Sequence, residues 1–158
     1  MTANDIFEKL KVEFGDAIIE LKDEAPSDPA ITVDASKIFD ICHTLRDDNT
    51  FLFDYLSCLS GLDKKEELQV VYHLYSMAHK HTIVIKASVA KDNPHIPSVE
   101  RIWKAADWHE REAYDMLGII FDGHHNLIRI LTPYDWEGFP LRKDYKEPEY
   151  YNGIKVSY

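Results

Sequence analysis

Eight histidines and a run of neighbouring charges are the residues of this 158-residue sequence that could do chemistry. Three histidine groupings have ligand-like spacing: His79 with His81, His109 with Glu112, and the adjacent pair His124-His125. His109 and Glu112 are three apart and share a face on a helix, so a bound metal activating water is one chemistry to weigh. Against that hydrolase reading, there is no HExxH segment and no second acid–histidine cluster to complete a site. Histidines in turns and polar loops are more often hydrogen-bonded than metallated. The two thiols, Cys42 and Cys58, are not spaced as a CxxC pair. An iron–sulfur cluster needs more thiolates than these two, and free thiols in a reducing compartment are the expectation. No phosphate-cradling glycine loop and no dinucleotide fingerprint occurs.

The charged run is Glu110-Arg111-Glu112 with Asp115 behind it. Arg111 and Asp115 are four apart, which on a helix makes a surface pair worth a few tenths of a kcal/mol. The sharper alternative places Glu110 partly buried against an arginine such as Arg129 or Arg142, a pair whose breaking costs on the order of 3–5 kcal/mol. The spacing favours the surface pair, and neither arrangement requires catalysis.

Charge and hydropathy narrow the classes further. A formal net charge of −10 opposes nucleic acid and anionic lipid headgroups alike. The close basic pairs, Lys64-Lys65 and Arg142-Lys143, are too small to reverse that balance. No apolar run approaches the roughly 18–20 residues that cross a bilayer, and Met1-Thr2-Ala3-Asn4-Asp5 does not read as a secretory signal. If the protein meets a membrane, a partner is expected to hold it there.

The elements that must position these residues follow from periodicity. Ile6, Phe7, Leu10 and Phe14 share one face of a helix over 3–14 that ends at Gly15. Residues 17–21 and 31–33 read as strands joined through Pro26 and Pro29. Asp34 is a good N-cap for a helix over 35–46, and residues 51–62 read as part strand, part turn. Leu68, Val70, Tyr72, Leu74 and Met77 alternate with polar neighbours, as do Ile83, Ile85, Ala87 and Val89, with residues 78–81 as the turn of a hairpin. The expected fold class is α+β in two layers, with helices packed on one face of a mixed β-sheet, followed by an irregular C-terminal docking segment. The expected division is a single domain over 1–147 and a tail over 148–158, ordered only on a partner.

Ser98, Val99, Ile102, Trp103 and Ala106 continue into Ala113, Tyr114 and Leu117 at helical spacing, yet Glu110 falls on the apolar stripe. Asp107-Trp108-His109-Glu110 reads as a capping box, so the expectation is a short turn over 98–104 and a helix over 108–117 closed by Gly118. Beyond it, Gly, Pro, aromatic and charged residues crowd a stretch without regular period, which suits a rigid loop in a protein interface.

One ordered series is specific. Trp108, Glu110-Arg111-Glu112, Tyr114-Asp115, Gly118, Phe121, Gly123-His124, Arg129-Ile130-Leu131, Asp135-Trp136-Glu137-Gly138 and Pro140-Leu141-Arg142-Lys143-Asp144-Tyr145 resemble the signature of the 30 kDa-type subunit of respiratory complex I. Residues 59–63, 70–74 and 97–99 add to the resemblance, which covers roughly residues 30–147. The sequence departs from the family pattern at His125, where proline is usual, at Ile128, where arginine is usual, and at Phe139, where histidine is common.

The resemblance implies a peripheral-arm subunit without cofactor, metal or catalytic residue of its own. It implies docking on the quinone-site subunit, close to the neighbour that carries the terminal iron–sulfur cluster, on the cytoplasmic face of the inner membrane. FMN, Fe-S clusters and quinone would then sit in partner subunits, and the assembly would be a proton-translocating NADH:quinone oxidoreductase. The equivalent subunit of a membrane-bound hydrogenase or formate-oxidising complex is the nearest alternative.

Overall fold

The structure, a computed structural model, describes residues 1–23 and 27–156; Pro26 in the first strand connection and Tyr158 in the tail lie outside the described residues. Helix α1 (Ala3–Phe14) opens on a capping box in which Thr2 Oγ1 accepts the Asp5 N–H and the Asp5 carboxylate accepts the Thr2 N–H. It buries Ile6 and Leu10, with Phe7 and Phe14 leaning on the same core, and ends at Gly15, whose φ is +55°. Asp34 does cap the next helical segment, but its side chain takes the Ser36 N–H only two residues on. That local bond tightens the first turn to a 3₁₀ turn over Ala35–Lys37, and α2 proper runs Ile38–Asp47.

Five strands, β1 (Ile18–Lys22), β2 (Ala30–Asp34), β3 (Tyr55–Asp63), β4 (Glu67–Ser76) and β5 (His81–Ala90), form one sheet in the order β1-β2-β5-β4-β3. The β2–β5 pair is parallel and the others antiparallel, which makes the sheet mixed. Alternation decides which face is buried: Leu68, Val70, Tyr72 and Leu74 of β4 and Ile83, Ile85 and Ala87 of β5 meet the apolar sides of the three helices. The reverse face carries a small cluster of Ala30, Val71 and Val84 beside a relay from Gln69 through Ser88 to Glu67. The expected two layers are present. Met77 leaves the alternation and lies exposed in the turn after β4, while His81 opens β5 instead of closing that turn.

The predicted helix over 108–117 begins earlier. Helix α3 spans Ala106–Leu117 with no side-chain cap at Ala105, so Asp107 sits inside the first turn and the capping box is not made. Glu110, its supposed partner, is turned instead to Ser98 and Val99. A short parallel pair, β6 (His95–Pro97) with β7 (Ile120–Asp122), ties the segment before α3 to the segment after it. In the tail, β8 (Tyr150–Tyr151) and β9 (Ile154–Lys155) form a hairpin through Asn152-Gly153, both at positive φ. Order there is supplied by this chain's own residues, since the Tyr151 hydroxyl donates to Asp135 and its ring lies against Trp136. No helix among the described residues is long and apolar enough to cross a membrane.

Candidate functional site

The segment from Gly118 to Tyr145 has almost no regular structure, so its backbone must find partners elsewhere. Asp115 supplies most of them. Its side chain is fully buried, and Oδ2 accepts three successive backbone N–H groups, from Ile130 (3.0 Å), Leu131 (2.7 Å) and Thr132 (2.9 Å). Oδ1 takes Arg129 Nη1 at 2.9 Å and the Thr132 hydroxyl. Burial pushes this carboxyl up, but the Thr132, Leu131 and Arg129 donors outweigh it and hold the group down at about 2.

These contacts correct the expected Arg111–Asp115 surface pair. Asp115 is buried on Arg129, whereas the Arg111 guanidinium stacks over the exposed Trp108 ring at 4.8 Å and donates to the Ile128 carbonyl. The buried carboxylate–arginine pair exists one turn away from where the sharper alternative placed it. Glu110 is buried without an arginine partner among the described residues, accepting from the Ser98 hydroxyl (2.6 Å) and the Val99 N–H (2.8 Å). Burial pushes its carboxyl up to about 7, against the pull of those two bonds.

The returning segment also closes the end of α3. Four carbonyls at a helix C-terminus lack intrahelical donors, and here each of the last four finds one. Tyr114 O accepts from Gly118 N–H, Asp115 O from Arg129, Met116 O from Leu141 N–H and Leu117 O from Arg142 Nε. Arg129 adds a bond to the Gly138 carbonyl. Phe139 is sandwiched, with the Arg129 and Arg142 guanidinium groups 5.3 and 4.8 Å from its ring centre. Its edge lies against Gly118, where an added Cβ would meet Phe139 carbon at 2.5 Å. Gly138 serves Tyr145 similarly: an added Cβ would stand 3.0 Å from that ring. The Tyr145 hydroxyl in turn accepts from Trp136 Nε1. Lys143 is fixed through its backbone, its N–H donating to Asp63 Oδ2 at 2.8 Å, while Lys91 and the Lys65 N–H occupy the same carboxylate.

The remaining predicted site residues face outward. Glu112 and Asp144 are exposed, Tyr114 and Pro140 half-buried, and Leu141 stands 62% exposed at one end of a groove shared with Leu59, Leu62, His109 and Met116. Asp63, Ser98, Glu100, Thr132 and Phe139 were not singled out individually as site residues from the sequence. The Asp63 and Glu100 contacts join residues 80 and 25 apart, which no local spacing announces.

The histidines take hydrogen bonds rather than a metal geometry. His79 Nε2 and His81 Nε2 face the carbonyls of Asn49 and Phe51, and a nitrogen donating to a carbonyl has no lone pair to offer. His109 and Glu112 line the open groove. Ligand-type atoms of Glu100, Asp107, His124 and His125 do lie within 4.8 Å of one another. However, His124 Nδ1 accepts the Asn126 N–H, which puts the neutral ring's proton on Nε2, the atom facing the carboxylates. His125, standing where the family pattern has proline, gives Glu100 both a backbone N–H and its ring Nδ1. Burial raises the Glu100 carboxyl, but these bonds outweigh it and lower the group overall.

Known proteins resemble the chain over nearly all of this architecture. It is 50% identical to the NADH-quinone oxidoreductase C subunit of Chloroherpeton thalassium, over 94% of this chain and 63% of that protein. It is 44% identical to the same-named subunit of Chlorobium phaeobacteroides, over 96% of this chain and 93% of the relative. The chain thus spans less than two thirds of the first relative and nearly all of the second. A trypsin-resistant fragment of Nqo5 shares the fold, with a TM-score of 0.67, 22% identity and coverage of 80% of this chain and all of that one. A chain of a membrane-bound sulfane sulfur reductase, an archaeal respiratory membrane complex, superposes with a TM-score of 0.73 at 25% identity, covering 92% of this chain and 86% of that one. The family model for the 30 Kd subunit of respiratory-chain NADH dehydrogenase matches residues 31–151, which include Asp115, Arg129 and the whole Gly118–Tyr145 segment, and this protein belongs to that family.

Proposed function

We propose that this chain is a cofactor-free peripheral subunit of a proton-translocating NADH:quinone oxidoreductase, and that its Gly118–Tyr145 segment docks on and braces the quinone-site subunit. Electrons would then pass from NADH through FMN and Fe-S clusters in neighbouring subunits to quinone, and the chain would be held at the cytoplasmic face of the membrane by those neighbours. The names of its relatives support the assembly. The observation that carries the docking role is a division of labour within the segment. Its charged side chains, Arg129 and Arg142, are spent on internal bonds, while Leu131 and Leu141 are each 62% exposed and Tyr134 is 94% exposed. A rigid, irregular loop presenting apolar side chains suits a permanent interface.

Co-expression with the quinone-site subunit followed by size-exclusion chromatography tests this. A one-to-one complex is expected, lost in a Leu131→Glu, Tyr134→Glu double variant whose own melting curve is unchanged. No complex, or one indifferent to both substitutions, overturns the docking role. The sulfane sulfur reductase neighbour favours one second reading, the equivalent subunit of a related membrane-bound complex such as a hydrogenase or formate-oxidising enzyme. NADH-dependent quinone reduction by the purified assembly separates the two.

A further inference from the structure

Away from the docking segment, three carboxylates converge on one imidazole nitrogen. His124 Nε2, on a side chain with no solvent exposure, lies 3.3 Å from Asp107 Oδ1, 3.5 Å from Glu100 Oε2 and 3.9 Å from Glu110 Oε2. The Asp107 carbonyl is nearer still, at 3.2 Å. With Nδ1 already accepting from Asn126, the neutral ring offers these four oxygens a single N–H. Among the described residues, Asp107 Oδ1 is left buried without a donor. Nor does any lysine or arginine nitrogen among them come within 4 Å of the three carboxylates; their charged-type partners are His124 and His125. Three like charges in a poorly solvated pocket with so few donors repel one another, and binding a proton relieves that repulsion.

We propose that Glu100, Asp107 and Glu110 around His124 form a buried proton-binding site, and that the proton it holds latches the Gly123–Asn126 turn onto α3. Glu110 is the group that holds it. Its surroundings on every side are named: Ser98, Val99 N–H and Glu100 from the segment before α3, Asp107 from its own helix, and His124 from the turn after β7. Cys42 of α2 and Tyr72 of β4 also feel its charge, and each is itself pushed up, by burial first. None of these is a fixed cation. Glu100 is quieted by His125, so the unrelieved charge falls on Glu110, with Glu100 and Asp107 both pushing it towards protonation. When the turn opens and water reaches the pocket, Glu110 returns to an ordinary carboxyl and loses its proton. Opening therefore grows easier by up to about tenfold per pH unit between the exposed value of 4.5 and the buried value of about 7, and levels off above it.

Two measurements on the full-length chain test the site. Carbon-13 carboxyl titration by NMR of the unaltered protein should place the Glu110 inflection near 7, well away from the other glutamates. An inflection near 4.5 overturns the proposal outright, with no substitution involved. Hydrogen–deuterium exchange of residues 123–126, corrected for intrinsic pH dependence, should quicken between pH 5 and 7 in the unaltered chain and stay flat in Glu110→Gln, which keeps a neutral partner for Ser98. Asp107→Asn removes one repelling charge and should move the Glu110 inflection downward. An exchange profile in Glu110→Gln that still tracks pH, or an inflection indifferent to Asp107→Asn, assigns the latch to something else and sinks the idea.

Discussion

Arg129 Nη1 sits 2.9 Å from Asp115 Oδ1, on a carboxylate that is wholly inaccessible to solvent and also gathers the N–H groups of residues 130–132. A helix residue thereby sets the path of a loop that follows it by fifteen positions. Arg129 then extends the constraint to Gly138 and, through its cation–π contact, to Phe139. The acid supplies the charge and the loop supplies the donors, so the two halves of the segment rest on one buried side chain.

Replacing Asp115 by alanine leaves three N–H groups and a guanidinium without their acceptor. The loss of stability should be on the order of 3–5 kcal/mol, read as a fall in the denaturation midpoint. Because Arg129 and Asp115 act together, the double variant Asp115→Ala, Arg129→Met should lose less than the sum of the two single losses. Strict additivity would mean that the pair is not coupled.

The same carboxyl predicts an acid limit. Its folded value, about 2, lies below the ordinary 3.8, so its contribution is complete above 3.8 and is lost as pH falls through 2. Urea midpoints measured between pH 5 and 2 should converge for the unaltered chain and Asp115→Asn at the acid end. Parallel curves over that range would refute the assignment.

Gly118 ends α3 with φ at +73° and has the Phe139 ring where a Cβ would go. Alanine there meets both penalties: roughly 1–2 kcal/mol for the left-handed backbone and a further cost for displacing the ring. Phe139→Ala in the same protein should recover the second part only. A Gly118→Ala protein melting as the unaltered one does would show that the ring moves freely.

Arg142 and Lys143 are neighbours with different attachments. Arg142 donates from its side chain to Leu117 O, whereas Lys143 is held by its backbone N–H. Arg142→Ala should cost about 1–2 kcal/mol, and Lys143→Ala should stay within about 0.5 kcal/mol. Equal losses in thermal melts would contradict the distinction.

Much of the fold was legible because its signals are local. The alternation of Leu68 to Leu74 and Ile83 to Ala87, the face shared by Ile6 and Leu10, and Gly118 as a helix stop each lie within a few residues of one another. The start of α3 was misread for the opposite reason. Asp107 and Glu110 have the spacing of a capping box, but Ser98 and Val99, brought close by the β6–β7 pairing, offer Glu110 better donors. The Arg111–Asp115 pair failed in the same way, since helical spacing cannot reveal three N–H groups arriving from residues 130–132. The segment itself stood out by its composition. Which of its side chains look inward did not, because Arg129 and Arg142 are ordinary surface residues until the loop folds over them.

The Lys143–Asp63 bond joins positions eighty apart, and Asp63 closes a strand at the rim of the sheet. During synthesis, residue 143 emerges long after β3 and β4 have had time to pair. The loop therefore has nothing to settle on until that rim is in place. A subunit recognising Leu131, Tyr134 and Leu141 in their settled positions is sampling the finished sheet beneath them, so assembly can reject a half-folded copy with no separate inspector.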